Sequence, residues 1–331
     1  MPRPHVFVTR RIPQSGITLL EKSGYTVDVF ERDEPISQRE LLARVKGCDA
    51  LLPLLTDHID DAVFAAAGKN LKIVANYAVG FDNIDLAAAK KRSIPVTNTP
   101  APEVAETVAE HTMALILGLA HRLVESDRYA REGKYHGWAP NILLGVDVYG
   151  KTLGIIGTGR IGSAVAKRAA HGFGMKILYV NRTRDLALES SFGATWVDKD
   201  TLLAHADFVS IHLPLLPDTR HYISTDEISL MKRTAFLINT ARGPIVDEKA
   251  LLRALKTVRI AGAGIDVFEC EPSLDCDVTD HLELTSLSNV ILTPHTASAT
   301  IEAREAMSLL AAKNIVAVLS GQPPLTPAAI K

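Results

Sequence analysis

Short runs of β-branched and apolar residues alternate along this chain with longer segments in which apolar residues recur at helical spacing. Such alternation is typical of a parallel sheet whose two faces are covered by helices. The pattern predicts one α/β series before residue 100 and a second that begins at Leu153–Ile156. The predicted strands of the first series are His5–Thr9, Tyr25–Val29, Ala50–Leu54, Lys72–Asn76 and Pro95–Asn98, and Leu153–Ile156 is followed by Lys176–Val180, Asp207–His212, Ala235–Asn239, Ile260–Asp266 and Val290–Leu292.

Three helical patterns accompany these strands. One lies around Ile17–Lys22, and another closes the chain over Ile301–Leu319. The pattern from Glu103 to Arg131 is apolar over nearly its whole circumference, which predicts a helix buried between domains or subunits.

Composition narrows the classes of protein to which the chain can belong. With 331 residues, 47% of them hydrophobic and 22% charged, the chain can form two domains that each bury a core. A net charge of −2 gives no reason to expect nucleic acid or a membrane surface as partner. The cysteines, Cys48, Cys270 and Cys276, lack metal-ligand spacing, so we expect packing roles, a reducing compartment and no metal. Since the start does not resemble a signal peptide, a cytoplasmic location is expected.

A glycine-rich loop follows the strand Leu153–Ile156 directly. Its glycines are Gly157, Gly159 and Gly162, and Ser163–Ala170 continues as a helix. The first glycine permits a tight turn, the second allows the backbone to approach a diphosphate, and the third lets helix and strand pack closely. The helix N-terminus adds N–H groups that favour an anion. Strand, glycines and helix in this order predict a dinucleotide site, whereas Gly262 and Gly264 precede an apolar run and indicate close backbone packing.

The end of the next strand bears on the choice of cofactor. An NAD site usually carries an acidic residue there, which binds the ribose hydroxyls. This chain has the neutral Asn181, followed by Arg182, Thr183 and Arg184. Because guanidinium groups bind a 2′-phosphate that a carboxylate would repel, we expect NADP(H) to be favoured over NAD(H). The alternative is a solvated strand end.

Arg242, Glu271 and His295 each follow a strand-like run in the second series. Open α/β sheets bind ligands beyond the carboxyl ends of their strands. An arginine can bind the carboxylate of a 2-keto acid, and a histidine supported by a carboxylate can deliver a proton. Taken singly, each residue could be structural or a surface ion pair. No other histidine has a comparable setting, except that His212 also ends a strand and could border the cofactor.

Together these segments resemble the D-isomer-specific 2-hydroxyacid dehydrogenase family, and most closely its glyoxylate/hydroxypyruvate reductases. The resemblance covers nearly the whole chain, including Asn76–Asp85, His212–Pro214, Asn239–Gly243, Gly264–Phe268 and Thr293–His295. It implies a Rossmann cofactor domain, residues 101–299, inserted in a flavodoxin-like substrate domain formed by residues 1–100 and 300–331. Homodimerisation through the cofactor domains is implied as well.

The resemblance also assigns roles to residues. It implies that Arg242 binds substrate, that His295 is the acid/base and that Glu271 supports it. Leu54 and the backbone of Val79 and Gly80 would hold the substrate, and Trp138 would either reach the neighbouring subunit's active site or anchor a dimer. The implied cofactor contacts are Val108, Gly157, Thr158, Gly159, Arg160, Ile161, Gly162, Asn181, Arg182, Thr183, Leu213, Pro214, Thr219, Thr240, Ala241, Arg242, Asp266, His295 and Ala297.

Some features depart from the family pattern. His295 precedes Thr296-Ala297-Ser298, where the family usually has Ile-Gly-Ser, and the chain between Glu271 and His295 is longer than usual. The expected reaction is reduction of glyoxylate or hydroxypyruvate. D-lactate dehydrogenase and a non-enzymatic, dinucleotide-sensing corepressor remain alternatives. So does phosphite dehydrogenase, although that group carries a lysine in place of Val79.

Overall fold

The computed structural model of the protein describes residues 3–271 and 283–328. Contacts divide the chain into two units. The first consists of Met1–Val104 with Ala299–Lys331, and the second of Ala105–Ser298.

The first unit contains a parallel sheet of five strands in the order β2-β1-β3-β4-β5. This is the flavodoxin-like order of doubly wound sheets. The strands are β1 (His5–Val8), β2 (Thr26–Val29), β3 (Ala50–Leu52), β4 (Ile73–Ala75) and β5 (Val96–Thr97). The helices are α1 (Gln14–Lys22), α2 (Gln38–Arg44), α3 (Asp61–Ala67), α4 (Leu86–Lys91) and the C-terminal helix Ile301–Leu319, with a 3-10 turn at Gly68–Asn70.

Local chemistry explains where these helices start. Ser37, Asp60 and Asp85 precede α2, α3 and α4, and each side chain accepts a hydrogen bond from the backbone N–H three residues later. Such caps satisfy N–H groups that the first helical turn leaves without a partner. The C-terminal helix packs closely on α1, because a Cβ added to Gly16 would lie 2.3 Å from Ser308 Oγ.

The second unit contains a parallel sheet of seven strands in the order β12-β11-β10-β9-β6-β7-β8. The chain order reverses beside β6, which lies between β7 and β9. Ligands of open α/β sheets bind at such a switch point, beyond the carboxyl ends of the strands. The strands are β6 (Thr152–Ile156), β7 (Lys176–Val180), β8 (Thr195–Trp196), β9 (Phe208–Ile211), β10 (Phe236–Asn239), β11 (Gly262–Ile265) and β12 (Val290–Leu292).

The helices of the second unit cover both faces of this sheet. Two hydrophobic clusters, one around Leu237 and Leu251 and the other around Leu153 and Val165, form the core. The helices are α5 (Pro102–Ala120), α6 (Leu123–Arg131), α7 (Arg160–Phe173), α8 (Leu186–Phe192), α9 (Lys199–His205), α10 (Thr225–Leu230) and α11 (Glu248–Lys256), with a 3-10 turn at Gly243–Ile245.

These two parallel sheets confirm the predicted fold class. The bounds of β7, β12 and the C-terminal helix agree with the sequence pattern. β6 begins one residue earlier than predicted, β8 was not predicted, and the other strands are shorter than predicted by one or a few residues. Gly262 and Gly264 lie within β11, and a Cβ on Gly262 would come within 2.4 Å of Asn289 O. Close backbone packing therefore accounts for them.

The single buried helix predicted from Glu103 to Arg131 is wrong. The helix ends at Ala120, and Arg122 adopts a left-handed conformation with φ of 52° before α6 begins. No residue of α6 is buried, and Leu123 is 55% exposed. The apolar residues that motivated the prediction lie mostly before Ala120, whereas α6 itself carries several charged side chains.

Candidate active site

The glycine loop joins β6 to α7 at the switch point of the second sheet. Gly157 has φ of 95°, and a Cβ there would lie 2.7 Å from His212 O. A Cβ on Gly162 would lie 2.1 Å from Gly157 O, so helix and loop are in direct contact. A Cβ on Gly159 would meet nothing within 4 Å. The open face at Gly159, in front of the first turn of α7, therefore fits the approach of a diphosphate.

The end of β7 lies next to this loop. Asn181 Nδ2 donates to Thr158 Oγ1 at 2.9 Å, which connects the strand end to the glycine loop. Arg182 pairs with Asp218 at 3.0 Å. Arg184 instead pairs with Glu189 at 2.7 Å. Of the two arginines singled out in the sequence, Arg184 is thus held against α8.

Arg242 lies just beyond β10, on a loop that the preceding asparagine shapes. Asn239 Nδ2 donates to Arg242 O at 2.9 Å, and Asn239 Oδ1 accepts from Ala241 N at 3.0 Å. A Cβ on Gly243 would lie 1.9 Å from Phe268 O. The Arg242 loop and the segment leading to Glu271 are therefore in direct backbone contact.

His295 and Glu271 form a pair beyond the carboxyl ends of β12 and β11. Nδ1 of His295 lies 2.5 Å from Oε2 of Glu271. Only 26% of the His295 side chain and 19% of the Glu271 side chain are exposed. The carboxylate fixes the ring through Nδ1, so Nε2 is the nitrogen that remains for proton exchange. A carboxylate–imidazole pair of this geometry is suited to general acid/base chemistry.

Asp266 shapes the backbone that carries His295. Its buried carboxylate accepts from Thr293 Oγ1 at 2.5 Å, from Thr296 N at 2.8 Å and from Ala297 N at 2.9 Å. Its carbonyl oxygen accepts from His295 N at 2.8 Å. His295 has φ of 54°, a left-handed conformation that is uncommon outside glycine. The loop is thus wound around one carboxylate, and this winding sets the position of the imidazole.

Two histidines that sequence reasoning set aside also belong to this region. His111 Nε2 lies 3.0 Å from Thr293 Oγ1 and 3.6 Å from Asp266 Oδ1. His221 Nε2 lies 2.7 Å from Glu269 Oε1, two residues before Glu271. Neither histidine follows a strand, and each partner is distant in sequence, so no local signal could have identified them.

His212 lies just beyond the end of β9, and its surroundings differ from those of His111 and His221. Its Nε2 lies 2.9 Å from Ser210 Oγ, and burial lowers the pKa of the ring to about 3. The imidazole is therefore neutral at physiological pH. Because Gly157 packs on its carbonyl oxygen, His212 contributes to the wall of the glycine loop.

The first unit contributes a separate group of predicted residues at the carboxyl edge of its sheet. Leu54 N donates to Asp57 Oδ2 at 2.8 Å, and burial raises the pKa of this carboxyl group. Asn76 Nδ2 donates to Gly80 O at 2.9 Å. Asn98 Nδ2 donates to Val79 O at 2.6 Å. Side chains that follow three neighbouring strands thus hold the backbone at Leu54, Val79 and Gly80.

The remaining predicted residues differ in their surroundings. Val108 and Thr240 are buried, and Thr112 Oγ1 contacts Val108 O at 2.8 Å and Thr240 Oγ1 at 3.1 Å. Thr219 Oγ1 bonds to Pro214 O at 2.7 Å. Trp138 is 82% exposed. Thr183, Leu213, Arg160 and Ile161 lie on the segments described above, at the carboxyl edge of the second sheet.

The cysteines depart in part from expectation. Cys48 is a buried free thiol whose pKa burial raises to about 12. Cys270, for which a packing role was expected, is disulfide-bonded, and the spacing of the cysteines in the sequence gave no sign of this. Cys276 lies outside the described residues.

Residues 3–271 and 283–328 contain neither a membrane-spanning helix nor a metal-ligand cluster. No helix in these ranges combines the length and apolarity needed to cross a bilayer. No three side chains of histidine, cysteine, aspartate or glutamate in the same ranges come together as a metal site would require.

Comparison with known proteins agrees with this geometry. A family model described as "D-isomer specific 2-hydroxyacid dehydrogenase, NAD binding domain" matches residues 113–297. A glyoxylate reductase of Korarchaeum cryptofilum is 50% identical over 323 residues, which are 97% of this chain and 95% of that protein.

Solved structures agree as well. The TT0316 protein of Thermus thermophilus superimposes with a TM-score of 0.90 at 41% identity, covering 98% of this chain and all of that one. An NADPH-dependent glyoxylate/hydroxypyruvate reductase of Sinorhizobium meliloti, solved with NADP and malonate, gives a TM-score of 0.84 at 32% identity, covering 99% and 97%. With a family match over more than half its length and a relative half identical across nearly all of it, the chain belongs to the D-isomer specific 2-hydroxyacid dehydrogenases and is an NAD(P)-dependent oxidoreductase that reduces a 2-keto acid to the 2-hydroxy acid.

Proposed function

We propose that the protein reduces glyoxylate or hydroxypyruvate, with NADPH preferred over NADH. The observation that carries the proposal is the Glu271–His295 pair, which lies at the same sheet edge as the glycine loop and Arg242. The choice of a small 2-keto acid rests on the relatives, among them the glyoxylate reductase of Korarchaeum cryptofilum.

In this proposal His295 is the acid. Nε2 gives its proton to the oxygen on C2 of the keto acid, and Glu271 stabilises the charge that the ring carries beforehand. The nicotinamide cofactor, when bound, supplies the hydride that C2 receives. Arg242 grips the substrate carboxylate through its planar guanidinium, which aligns C2 for reaction.

The first unit supplies the remaining substrate contacts in this proposal. The backbone N–H groups of Val79 and Gly80 bind the substrate carboxylate, and Leu54 borders it. Support comes from the buried Asn76 and the half-buried Asn98, which hold the carbonyl groups of Gly80 and Val79 in this turn. A rigid turn presents its N–H groups without the entropic cost of ordering a loop.

The preference for NADPH rests on the end of β7. Asn181, Arg182 and Thr183 form a neutral and basic surface with no acidic residue among them. A 2′-phosphate there would gain a charge-assisted bond from Arg182 and hydrogen bonds from the neutral side chains. The Sinorhizobium meliloti structure, which holds NADP, supports the same preference by analogy.

We also propose that the protein is a homodimer. The stretch from Leu123 to Tyr149 exposes several large apolar side chains: Leu123, Val124, Tyr135, Trp138, Leu144, Val146 and Tyr149. Apolar side chains crowded in one stretch are typical of an interface. Either of two roles suits Trp138, namely an anchor of that interface or a contact in the neighbouring subunit's active site.

The test of the acid/base assignment is His295→Gln beside the control His205→Gln, an exposed histidine at the end of α9. We expect kcat for glyoxylate reduction to fall by a factor on the order of 10² to 10⁴ in His295→Gln, because that is the usual worth of a general acid. The dissociation constant for NADPH, measured by nicotinamide fluorescence, should change by no more than about twofold. Such a change is worth well under about 1.4 kcal/mol. Full kcat in His295→Gln would refute the role.

The substrate assignment needs a separate assay. Steady-state rates with glyoxylate, hydroxypyruvate, pyruvate and phosphite should be compared with each cofactor. We expect the highest kcat/KM with NADPH and glyoxylate or hydroxypyruvate. A preference for pyruvate would favour a lactate dehydrogenase, and binding of dinucleotide without any turnover would favour the corepressor reading.

A further inference from the structure

We propose that Asp218 limits the preference for NADP(H) by competing with the 2′-phosphate for the guanidinium of Arg182. The inference rests on the proposed function, since it concerns the phosphate group that the end of β7 is expected to bind. It adds a residue that no sequence motif indicates, from a turn on another strand.

The starting observation is the ion pair itself. Arg182 follows β7, and Asp218 lies in the turn after β9, yet Arg182 Nη2 is 3.0 Å from Asp218 Oδ2. These two strands flank β6, which leads into the glycine loop. The pair therefore bridges the two strand ends on either side of the switch point.

The second observation is that Arg184 is engaged elsewhere. Its Nε and Nη2 donate to Glu189 at 3.0 and 2.7 Å, and Tyr179 Oη also donates to that carboxylate. These bonds hold Arg184 at α8. Arg182 is therefore the guanidinium of this segment that a phosphate can recruit by exchanging one partner.

Breaking the Arg182–Asp218 ion pair costs little free energy, because the pair is exposed to water. Both side chains are 66% exposed, and ion pairs at such positions contribute little to stability. A phosphate dianion forms stronger charge-assisted bonds with a guanidinium than a single carboxylate does. Arg182 should therefore leave Asp218 when the phosphate arrives.

Asp218 itself cannot move far, because its turn is fixed. Thr219 Oγ1 accepts from Leu216 N at 2.7 Å and donates to Pro214 O at 2.7 Å. Thr219 N donates in turn to Leu216 O at 3.0 Å. The carboxylate thus stays near the end of β7 after Arg182 has left it, and it repels the incoming phosphate.

This geometry gives a quantitative expectation. Replacing Asp218 by asparagine removes one negative charge and leaves a side chain of the same shape. Affinity for a 2′-phosphorylated ligand should rise about three- to tenfold at 0.05 M salt, and less at 0.5 M, because screening shortens the reach of exposed charges. A ligand with a free 2′-hydroxyl is neutral at that position and should change little.

The experiment is calorimetric titration of adenosine 2′,5′-bisphosphate and of AMP, which differ only in the 2′-phosphate. The proteins are the wild type, Asp218→Asn, Arg182→Met, and the control Asp226→Asn, which removes an equal charge at the start of α10. We expect Asp218→Asn to bind the bisphosphate more tightly, Arg182→Met to bind it more weakly, and neither to change AMP binding. Asp226→Asn should match the wild type.

Each other result contradicts the inference in its own way. If Arg182→Met weakens bisphosphate binding while Asp218→Asn equals the wild type, Asp218 has no such role and the preference for NADP(H) stands. If the wild type binds both ligands equally and Arg182→Met changes neither, the preference itself fails, and the role of Asp218 fails with it.

Discussion

The left-handed backbone at His295 shows how single residues define this site. Its φ of 54° costs free energy on the order of 1–3 kcal/mol for a residue that is not glycine. Asp266 compensates by accepting hydrogen bonds from the residues on both sides of it. One buried carboxylate therefore determines where the proposed proton donor stands.

His212 gives a prediction about pH at this scale. Burial lowers the pKa of the folded-state ring to about 3, against an ordinary value of 6.5. The unfolded chain therefore binds more protons between these values. The stability that comes from the neutral ring is complete above pH 6.5 and is lost as pH falls toward 3.

We therefore expect His212→Gln to be less sensitive to acid. Between pH 7 and pH 5 the wild type should lose roughly 1–2 kcal/mol more of its free energy of unfolding than the variant. Urea titrations of both proteins at the two pH values measure this difference. His205→Gln should behave as the wild type does, and equal losses in wild type and His212→Gln would show that the ring is already solvated.

Much of the site could be predicted at the residue scale, because Arg242, Glu271 and His295 each follow a strand and the carboxyl ends of parallel strands share one edge. The contacts of His111 and His221 could not, since Thr293 and Glu269 are brought to them only by tertiary packing. The same is true of Asp218, whose partner Arg182 belongs to a different strand end.

At the scale of elements, β6, the glycine loop and α7 together form the proposed diphosphate-binding site. The three glycines differ in what surrounds them. Gly157 and Gly162 pack against backbone atoms, whereas Gly159 faces open space. Gly172, later in α7, also has nothing within 4 Å. The chain thus offers two open glycines on one element, of which only Gly159 borders the proposed diphosphate.

We expect Gly159→Ala to weaken NADPH binding by about tenfold or more, equivalent to about 1.4 kcal/mol, because the methyl group fills the space that a diphosphate needs. Its melting temperature should stay close to that of the wild type, since the methyl group meets no protein atom. Gly172→Ala should bind NADPH normally and gain up to about 1 kcal/mol of stability from its helix propensity. Nicotinamide fluorescence and thermal melts measure both effects, and unchanged binding in Gly159→Ala would argue against a diphosphate there.

Elements were predictable where the hydrophobic pattern was long and uninterrupted, as in β7 and the C-terminal helix. The break between α5 and α6 was not, because it depends on Arg122, a residue type that does not usually take a left-handed conformation. The charged residues of α6 were the available sign that the apolar face had ended.

On the scale of the whole molecule, the exposed apolar stretch from Leu123 to Tyr149 is the feature that remains without a role in a single chain. Trp138 is 82% exposed and Leu144 is 63% exposed. Ile301, at 80%, is an isolated exposed residue at the start of the C-terminal helix. The stretch from Leu123 to Tyr149 is thus a patch of exposed apolar side chains, whereas Ile301 is a single exposed residue.

If that stretch forms the proposed dimer, the double variant Trp138→Ala, Leu144→Asp should be monomeric, because a buried charge without a partner is strongly unfavourable. Ile301→Asp should remain dimeric. Light scattering coupled to gel filtration gives the mass of each protein. A monomeric wild type at micromolar concentration would rule out the proposed dimer.

The contact between α1 and the C-terminal helix also bears on how the protein is made. During synthesis, the apolar face of α1, which includes Ile17 and Leu20, has no packing partner in the C-terminal helix until residues 301–319 leave the ribosome. The second unit is finished before that moment, and its folding brings the two distant parts of the first unit nearer, which lowers the entropic cost of joining them. We therefore expect the unit that carries the glycine loop to fold first, and the unit that begins the chain to be completed last.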